Sequence, residues 1–474
     1  MNVVVGGNGI VALQTARELV RERPDLHVTL IGPAARGGSA SLAAAAMFNS
    51  FCEVDTGTFA SPFERLKFDF NRAAAPAWPD LLDDLRAESG LQISAGFGTF
   101  LINNAVTDTL EDENYEAVRA ALVAQAEPFE DVDPRAIPGY DPAPHARALR
   151  AVWIPREGWV NPVHLVAALD LVLAKEPRVR IVDGCVDAVE VSGEAVSGMI
   201  TDTGERIGGD VFVLAPGASF SAIVDRSRLP ISFQRVFYGA GASIRLNTGA
   251  ATLTNCVRTP NRGLACGTYA APQDASHTLV GASNFISPVP VDAPRLTSVM
   301  GLLEGAVEQI NRSFYRAELS ATNFGWRPTS SDTLPMIGGT DLPNLLVATG
   351  TKRDGLHCSP LIARILTALA CGRTPSFDVG AFKPDRPVTR TMTREHSVRT
   401  LVRHTLNAAY QHGFRSPHNR MTEDLAAHYT REFEALHDAV GAHDWGIPPE
   451  MKDMYRYGHV RAPEGTAPLT LRSV

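Results

Sequence analysis

Residues 2–12 read NVVVGGNGIVA, and residues 28–31 read VTLI. Three valines make a short buried strand, and the chain turns at once through Gly7-Asn8-Gly9-Ile10-Val11-Ala12, a G-x-G-x-x-A sequence, into a stretch with apolar residues at Leu13, Ala16, Leu19 and Val20. That spacing is helical. Residues 28–31 then supply a second strand, so the first thirty residues read as a βαβ unit. Gly7 permits the tight turn from strand to helix, Gly9 lets backbone N–H groups come close to a phosphate, and the small Ala12 lets helix and strand pack closely. The helix N-terminus, where Ile10 and Val11 lie, adds partial positive charge. These residues predict a parallel, doubly wound sheet that holds a dinucleotide pyrophosphate at its first turn.

Bulk composition narrows the remaining classes. The chain has 474 residues, 45% hydrophobic and 20% charged, which suits a globular protein of two or three domains. A net charge of -8 argues against a nucleic-acid partner. Six cysteines occur without a C-x-x-C pair or regular spacing, so neither a metal site nor a disulfide framework is expected. No apolar run approaches the roughly 18 residues that suggest a membrane span, and a first strand at residue 2 leaves no room for a signal peptide. A cytoplasmic protein with a small-molecule substrate is the expectation.

Strand-like and helix-like segments alternate in a way that interleaves two domains. Short strands are expected at 179–182, 186–191, 195–201 and 205–207, and a buried strand at 211–214 ends in Ala215-Pro216-Gly217. Residues 239–246, 267–271 and 278–282 read as antiparallel strands, with one helix over 295–316; a buried strand at 345–348 feeds a helix over 360–370. The fold class is therefore α/β: a Rossmann-type dinucleotide domain (1–75, 150–228 and 326–375) interleaved with a β-rich substrate domain (76–149 and 229–325). A helical C-terminal extension (376–474) completes it, with amphipathic helices at 394–412 and 422–440. In the second of these, Leu425, Tyr429, Phe433, Leu436 and Val440 share a face that covers the body or forms a homo-oligomer contact. His396, His404 and His412 recur two turns apart on the first, and solvated histidines account for them more simply than a metal site.

Four further patches, together with the first turn, resemble the D-amino-acid oxidase and glycine oxidase superfamily of FAD enzymes over residues 1–375. Residues 41–47 match the small-residue loop that passes the flavin ring, with Ala46 where the family has glycine. Glu157-Gly158-Trp159-Val160-Asn161-Pro162 resembles the family's G-x-V-D/N-P entry to a helix. Val186 falls where a strand backbone meets the adenine, and Ala215-Pro216-Gly217 matches an A-T-G turn. Trp326-Arg327-Pro328 with Asp332, Pro335 and Ile337-Gly338, and Ala348-Thr349-Gly350 through Pro360, resemble the two C-terminal family motifs. The resemblance implies FAD, held non-covalently, against Gly7, Gly9, Ile10, Val11, Ala12, Ser39, Ser41, Ala46, Met47, Val186, Ala215, Gly217, Arg353, Asp354, Gly355, Leu356 and His357. It places Arg327 and Arg353 on the substrate carboxylate. A planar guanidinium suits that role because it grips a carboxylate through two parallel hydrogen bonds.

Two features depart from the family. The second strand ends in Gly32-Pro33 where the family carries the acid that binds the adenosine ribose, leaving backbone groups, Arg36 or Ser39 for that contact. Where sarcosine oxidases carry a flavin-linked cysteine, the nearest residue is Trp326; Cys358 is the other cysteine close to the flavin loop. Ser359 and Pro360 read as the cap and first residue of a helix whose N-terminus would favour an anionic reduced flavin. The expected reaction is oxidation of the C–N bond of an amino acid or carboxylated amine, with O2 as reoxidant. Oxidation of a 2-hydroxy acid, with His357 or His164 as base, is the alternative; a flavin monooxygenase is a third, disfavoured by the lack of a second G-x-G-x-x-G turn for NAD(P)H. Tyr238 and Tyr269 are candidates to line the substrate pocket.

Overall fold

The computed structural model describes residues 1–460 apart from Ala105, Thr107 and Ala265, so the last part of the expected extension, 461–474, lies outside the described residues. Asn2–Gly6 forms the centre of a six-stranded sheet, in the order Met336–Gly339, Leu345–Thr349, Val211–Leu214, Asn2–Gly6, His27–Ile31, Val179–Val182. All neighbours are parallel except the first pair. Period-two alternation divides its residues between two layers. Val3 and Val5 face the helices Ile10–Glu22, Pro162–Lys175 and Ser359–Ala370, in one core with Leu13, Leu169 and Leu366. Val4, Phe212 and Leu214 face the other way, onto Val189 and Met199 of a three-stranded meander, Val186–Ser192, Ala195–Thr201 and Arg206–Ile207.

A second, ten-stranded sheet carries the long pair Val236–Asn247 and Glu318–Ser330, which run antiparallel with Gly239 opposite Arg327. Its far half rests on Ala95–Asn104 and Ala148–Val160, two long strands that the sequence reading does not assign. Met47–Phe48 joins its edge, so the sheet reaches the first turn's surroundings. The helix expected over 295–316 is broken into Leu296–Glu304, a π-turn at Gly305–Ile310 and a 3-10 turn at Arg312–Arg316. Asn311 causes the last break: its backbone is extended and its side chain caps Ser313 N–H at 2.8 Å.

Packing also moves two expected domain boundaries. The helix Trp78–Ser89 buries Trp78, Leu82 and Leu85 in the core of the parallel sheet, and Ala148–Val160 belongs throughout to the second sheet. The C-terminal helices Arg394–Gln411 and Asn419–Ala439 form a small core of their own from Val398, Leu401, Phe433, Leu436, Trp445 and Tyr455. That core docks on Phe237 of the long central strand. The apolar stripe of the second helix is thereby used within the chain.

Candidate active site

The first turn opens onto a cavity of roughly 390 Å³ that runs from the ends of the parallel strands to the second sheet. Gly7 has φ +126°, and a Cβ there would meet the Ala215 carbonyl group, its carbon at 2.8 Å. Only glycine lets these two turns touch. Gly9 caps the first helix without a side-chain hydrogen bond. The Ile10 N–H is taken by Ser41 Oγ at 2.9 Å, while the N–H groups of Val11 and Ala12 have no partner among the described residues. Val11 lines the cavity, and an orphan donor at a helix N-terminus that faces a cavity suits an anion.

Nearly every residue expected at the cofactor lines this cavity: Gly7, Gly9, Ile10, Val11, Ser39, Ser41, Ala46, Met47, Val186, Ala215, Gly217 and the run Arg353 to His357. Ala12 is the exception; it is fully buried beneath the turn, where its small size serves helix packing. Ser39 caps the turn Ala40–Ala43 by accepting from Leu42 N–H at 3.4 Å, and Gly38 packs its backbone against the Trp326 ring. Cys358 is turned away, with Sγ on Asn71 Oδ1 at 2.9 Å. It is also the N-cap of the helix Ser359–Ala370, so the helix starts one residue earlier than the sequence suggests, with Ser359 and Pro360 in its first two positions. The helix is capped without a side-chain bond, and Ser359 Oγ donates to the Leu356 carbonyl instead.

At the far end lie both expected arginines, in unequal states. Arg327 lies across Gly241, where a Cβ would sit 2.5 Å from Nη1 and nearer still to Cζ and Nη2. Its Nη1 donates to the Ser283 carbonyl and Asn284 Oδ1, each at 3.0 Å. Both partners are neutral, so its positive charge is not offset by direct contact. Arg353 instead places Nε 3.0 Å from Glu53 Oε2 and Nη1 3.0 Å from Cys266 Sγ. The other Glu53 oxygen accepts from the fully buried Arg258 at 2.6 Å. Burial alone would raise the Glu53 carboxyl, but the adjacent Arg353 and Arg258 outweigh it and hold it at about 2. Glu53 is fixed in turn by Asn261 Nδ2 on its carbonyl, and the turn that presents it is held by buried Glu157, whose Oε1 accepts the N–H groups of Ser50, Phe51 and Cys52.

Of the two tyrosines, Tyr269 lines the cavity and packs its ring over Gly281, while Tyr238 stands edge-on to Trp326 outside it. His357 contributes to the wall, but its ring is inside the protein: Nε2 donates to the Asn71 carbonyl at 2.8 Å and lies 3.2 Å from Ser50 Oγ. Burial lowers its pKa to about 4. His164 is elsewhere, at the start of its helix, with Nδ1 accepting from Ser94 N–H at 3.4 Å. A second cavity of roughly 170 Å³ adjoins the first across Glu53, Lys352, Arg353 and Asp354 and is roofed by the C-terminal extension through His396, His404 and Glu450. The histidine spacing thus puts two rings over a polar cavity, and no group suited to a metal ion exists among the described residues. Glu53, Arg258, Cys266 and Asn49 carry no local sequence signal; Arg258 and Glu53 meet across 205 residues.

The family model described as DAO, FAD dependent oxidoreductase, matches residues 2–369. A glycine oxidase of Geobacillus kaustophilus is 26% identical over 396 residues, covering 82% of this chain and 97% of that protein. A glycine oxidase of Pseudomonas aeruginosa is 26% identical over 402 residues, covering 81% and 98%. The crystal structure of glycine oxidase from Geobacillus kaustophilus superposes with a TM-score of 0.68 at 24% identity, over 81% of this chain and 98% of that one. The match ends before the C-terminal helices begin. Among the described residues no helix is long and apolar enough to cross a membrane.

Proposed function

The chain belongs to the DAO family of FAD-dependent oxidoreductases, and from that premise we propose that it oxidises the C–N bond of an amino acid or another carboxylated amine. Bound FAD supplies the two-electron acceptor. When bound, its pyrophosphate would be held by the orphan N–H of Val11 and the backbone at Gly7 and Gly9, and its ring system would lie non-covalently against Ser41, Ala43 to Met47 and Gly355 to His357. The observation that carries the substrate reading is Arg327: a guanidinium that lines the cavity and, among the described residues, has only neutral hydrogen-bond partners, and so retains charge for a carboxylate. Arg353 acts at one remove, tied to Glu53, and shapes the wall beside the substrate. The two glycine oxidase relatives act, by name, on a substrate of this class.

Positioning does most of the work in such a site. A carboxylate held by Arg327, with Tyr269 and Met47 closing the walls, presents the adjacent C–H and amine in one orientation. Loss of two electrons and two protons from the amine gives an imine, which water hydrolyses to an oxo acid and ammonia; O2 takes up the electrons and protons as hydrogen peroxide. The 2-hydroxy-acid alternative needs a base for the hydroxyl proton. His357 is a poor one, since its Nε2 is committed to a backbone carbonyl and burial lowers its pKa to about 4, which makes the ring a weak proton acceptor. The test is product analysis with glycine and N-methylglycine under air. Oxo acid, hydrogen peroxide and the released amine should form in equal amounts; rapid flavin reduction by NADPH alone, without such products, would point to a monooxygenase. We place the enzyme in the cytoplasm, with a small molecule as its partner.

A further inference from the structure

The nucleotide end of the cavity lacks a side chain that its fold ordinarily uses. In a dinucleotide-binding sheet an acid at the end of the second strand accepts hydrogen bonds from ribose hydroxyls. Here that position is Gly32. The surroundings supply a reason: a Cβ on Gly32 would lie 2.7 Å from Asn8 Nδ2 and nearer still to Asn8 Cβ and Cγ. No side chain fits at position 32 while Asn8 keeps its place. The space beyond the second strand is filled from the glycine turn instead.

Asn8 is fixed in that space. Its Nδ2 donates to the Pro33 carbonyl at 2.8 Å, and because a carbonyl oxygen only accepts, this contact decides which end of the amide is nitrogen. Oδ1 is then the uncommitted end, with no partner among the described residues, on a residue that lines the cavity. The neighbouring groups are already engaged. Arg36 donates through Nε to the Asn8 carbonyl at 3.0 Å, and its two Nη atoms grip Asp170 at 2.7 and 2.5 Å. Ser39 Oγ and Ser41 Oγ accept backbone N–H groups, and Asp183 Oδ1 accepts from Ala34 N–H at 2.9 Å outside the lining.

We propose that Asn8 is the ribose-recognition residue of this protein: its Oδ1 accepts a hydroxyl of the adenosine ribose, from the glycine turn rather than from the second strand. The pair Asn8–Gly32 is thus a reciprocal exchange for a small turn residue and a strand acid. A neutral acceptor makes a weaker bond than a carboxylate but is also cheaper to bury. This inference rests on FAD binding, which the family establishes, and is independent of which amine is oxidised.

The experiment titrates FAD-free protein with FAD and with an analogue whose adenosine ribose lacks both hydroxyls, read by quenching of flavin fluorescence. Wild type should bind FAD about tenfold more tightly than the analogue, the value of one hydrogen bond. Asn8→Ala should bind the two equally, and Asn8→Asp should keep the preference. Gly32→Glu alone should weaken FAD binding through overlap with Asn8, and Asn8→Gly combined with Gly32→Glu should recover most of it. Equal binding of FAD and the analogue by wild type, which requires no variant to fold, would overturn the proposal. So would an unchanged preference in Asn8→Ala.

Discussion

Removing the two arginines one at a time should produce unequal losses, because the fold has already committed one of them. Arg327→Ala deletes a guanidinium whose contacts are the Ser283 carbonyl and Asn284 Oδ1. What the substrate loses is a charged, paired hydrogen bond. Hydrogen bonds to charged groups are worth about 1.5–3 kcal/mol each, so a grip of two makes the loss about 3 kcal/mol or more, a hundredfold or greater in kcat/KM. Arg353→Ala deletes a side chain whose Nε faces Glu53 at 3.0 Å and whose Nη1 lies on Cys266 at 3.0 Å. Glu53 keeps Arg258, so that variant should lose about tenfold or less on substrate. The assay is anaerobic stopped-flow reduction of the bound flavin, which separates substrate affinity from the rate of reduction. Thermal melts of each holoenzyme control for folding. A loss in Arg353→Ala equal to or larger than that in Arg327→Ala, with wild-type melting, would refute the assignment of unequal roles.

Other outcomes follow from the same contacts. Glu53→Gln removes the carboxylate paired directly with the fully buried Arg258 and with Arg353, and breaking a buried pair in this way costs about 3–5 kcal/mol, which urea unfolding would register as a lowered midpoint. Gly7→Ala places a methyl against the Ala215 carbonyl at a φ that L residues rarely adopt; it should yield protein that is folded by circular dichroism but purifies without flavin colour. Acid should destabilise the protein through His357. The unfolded ring takes a proton near 6.5 whereas the folded one waits until about 4, so stability falls as pH drops through that window, by about 2 kcal/mol near pH 5. Glu53 adds to the loss at lower pH, as its folded carboxylate protonates only near 2 and the unfolded one near 4.5. In His357→Gln the decline between about pH 7 and pH 5 should flatten, as measured by urea midpoints.

What could be read from the chain alone was whatever is built from neighbours in sequence. The strand, turn and helix of residues 2–22 follow from periodicity and three small residues, and the structure places them as expected. The cavity-lining loops were legible for the same reason, each being a short run with its own motif. Glu53 was not. It follows Phe51 and Cys52 in a turn without a signature, and its meaning lies in Arg258 and Arg353, some 205 and 300 residues on in sequence. The strands Ala95–Asn104, Ala148–Val160 and Glu318–Ser330 were missed because their long-range pairing, rather than local alternation, stabilises them. Arg327 and Arg353 looked alike in the sequence; only the fold shows one beside neutral oxygens and the other beside a carboxylate.

The central claim is that a carboxylate and an adjacent amine are both required of the substrate. Anaerobic bleaching of the bound flavin by three matched compounds tests it directly: glycine, methylamine and glycolate, which share a carbon skeleton or lack one group each. Rapid bleaching by glycine, or by its N-methyl homologue in the same slot, with methylamine and glycolate at least a hundredfold slower, is the predicted result, the carboxylate term matching the loss expected for Arg327→Ala. Bleaching by glycolate at the fastest rate would instead make the protein a 2-hydroxy-acid enzyme, and equal rates for glycine and methylamine would remove Arg327 from substrate binding.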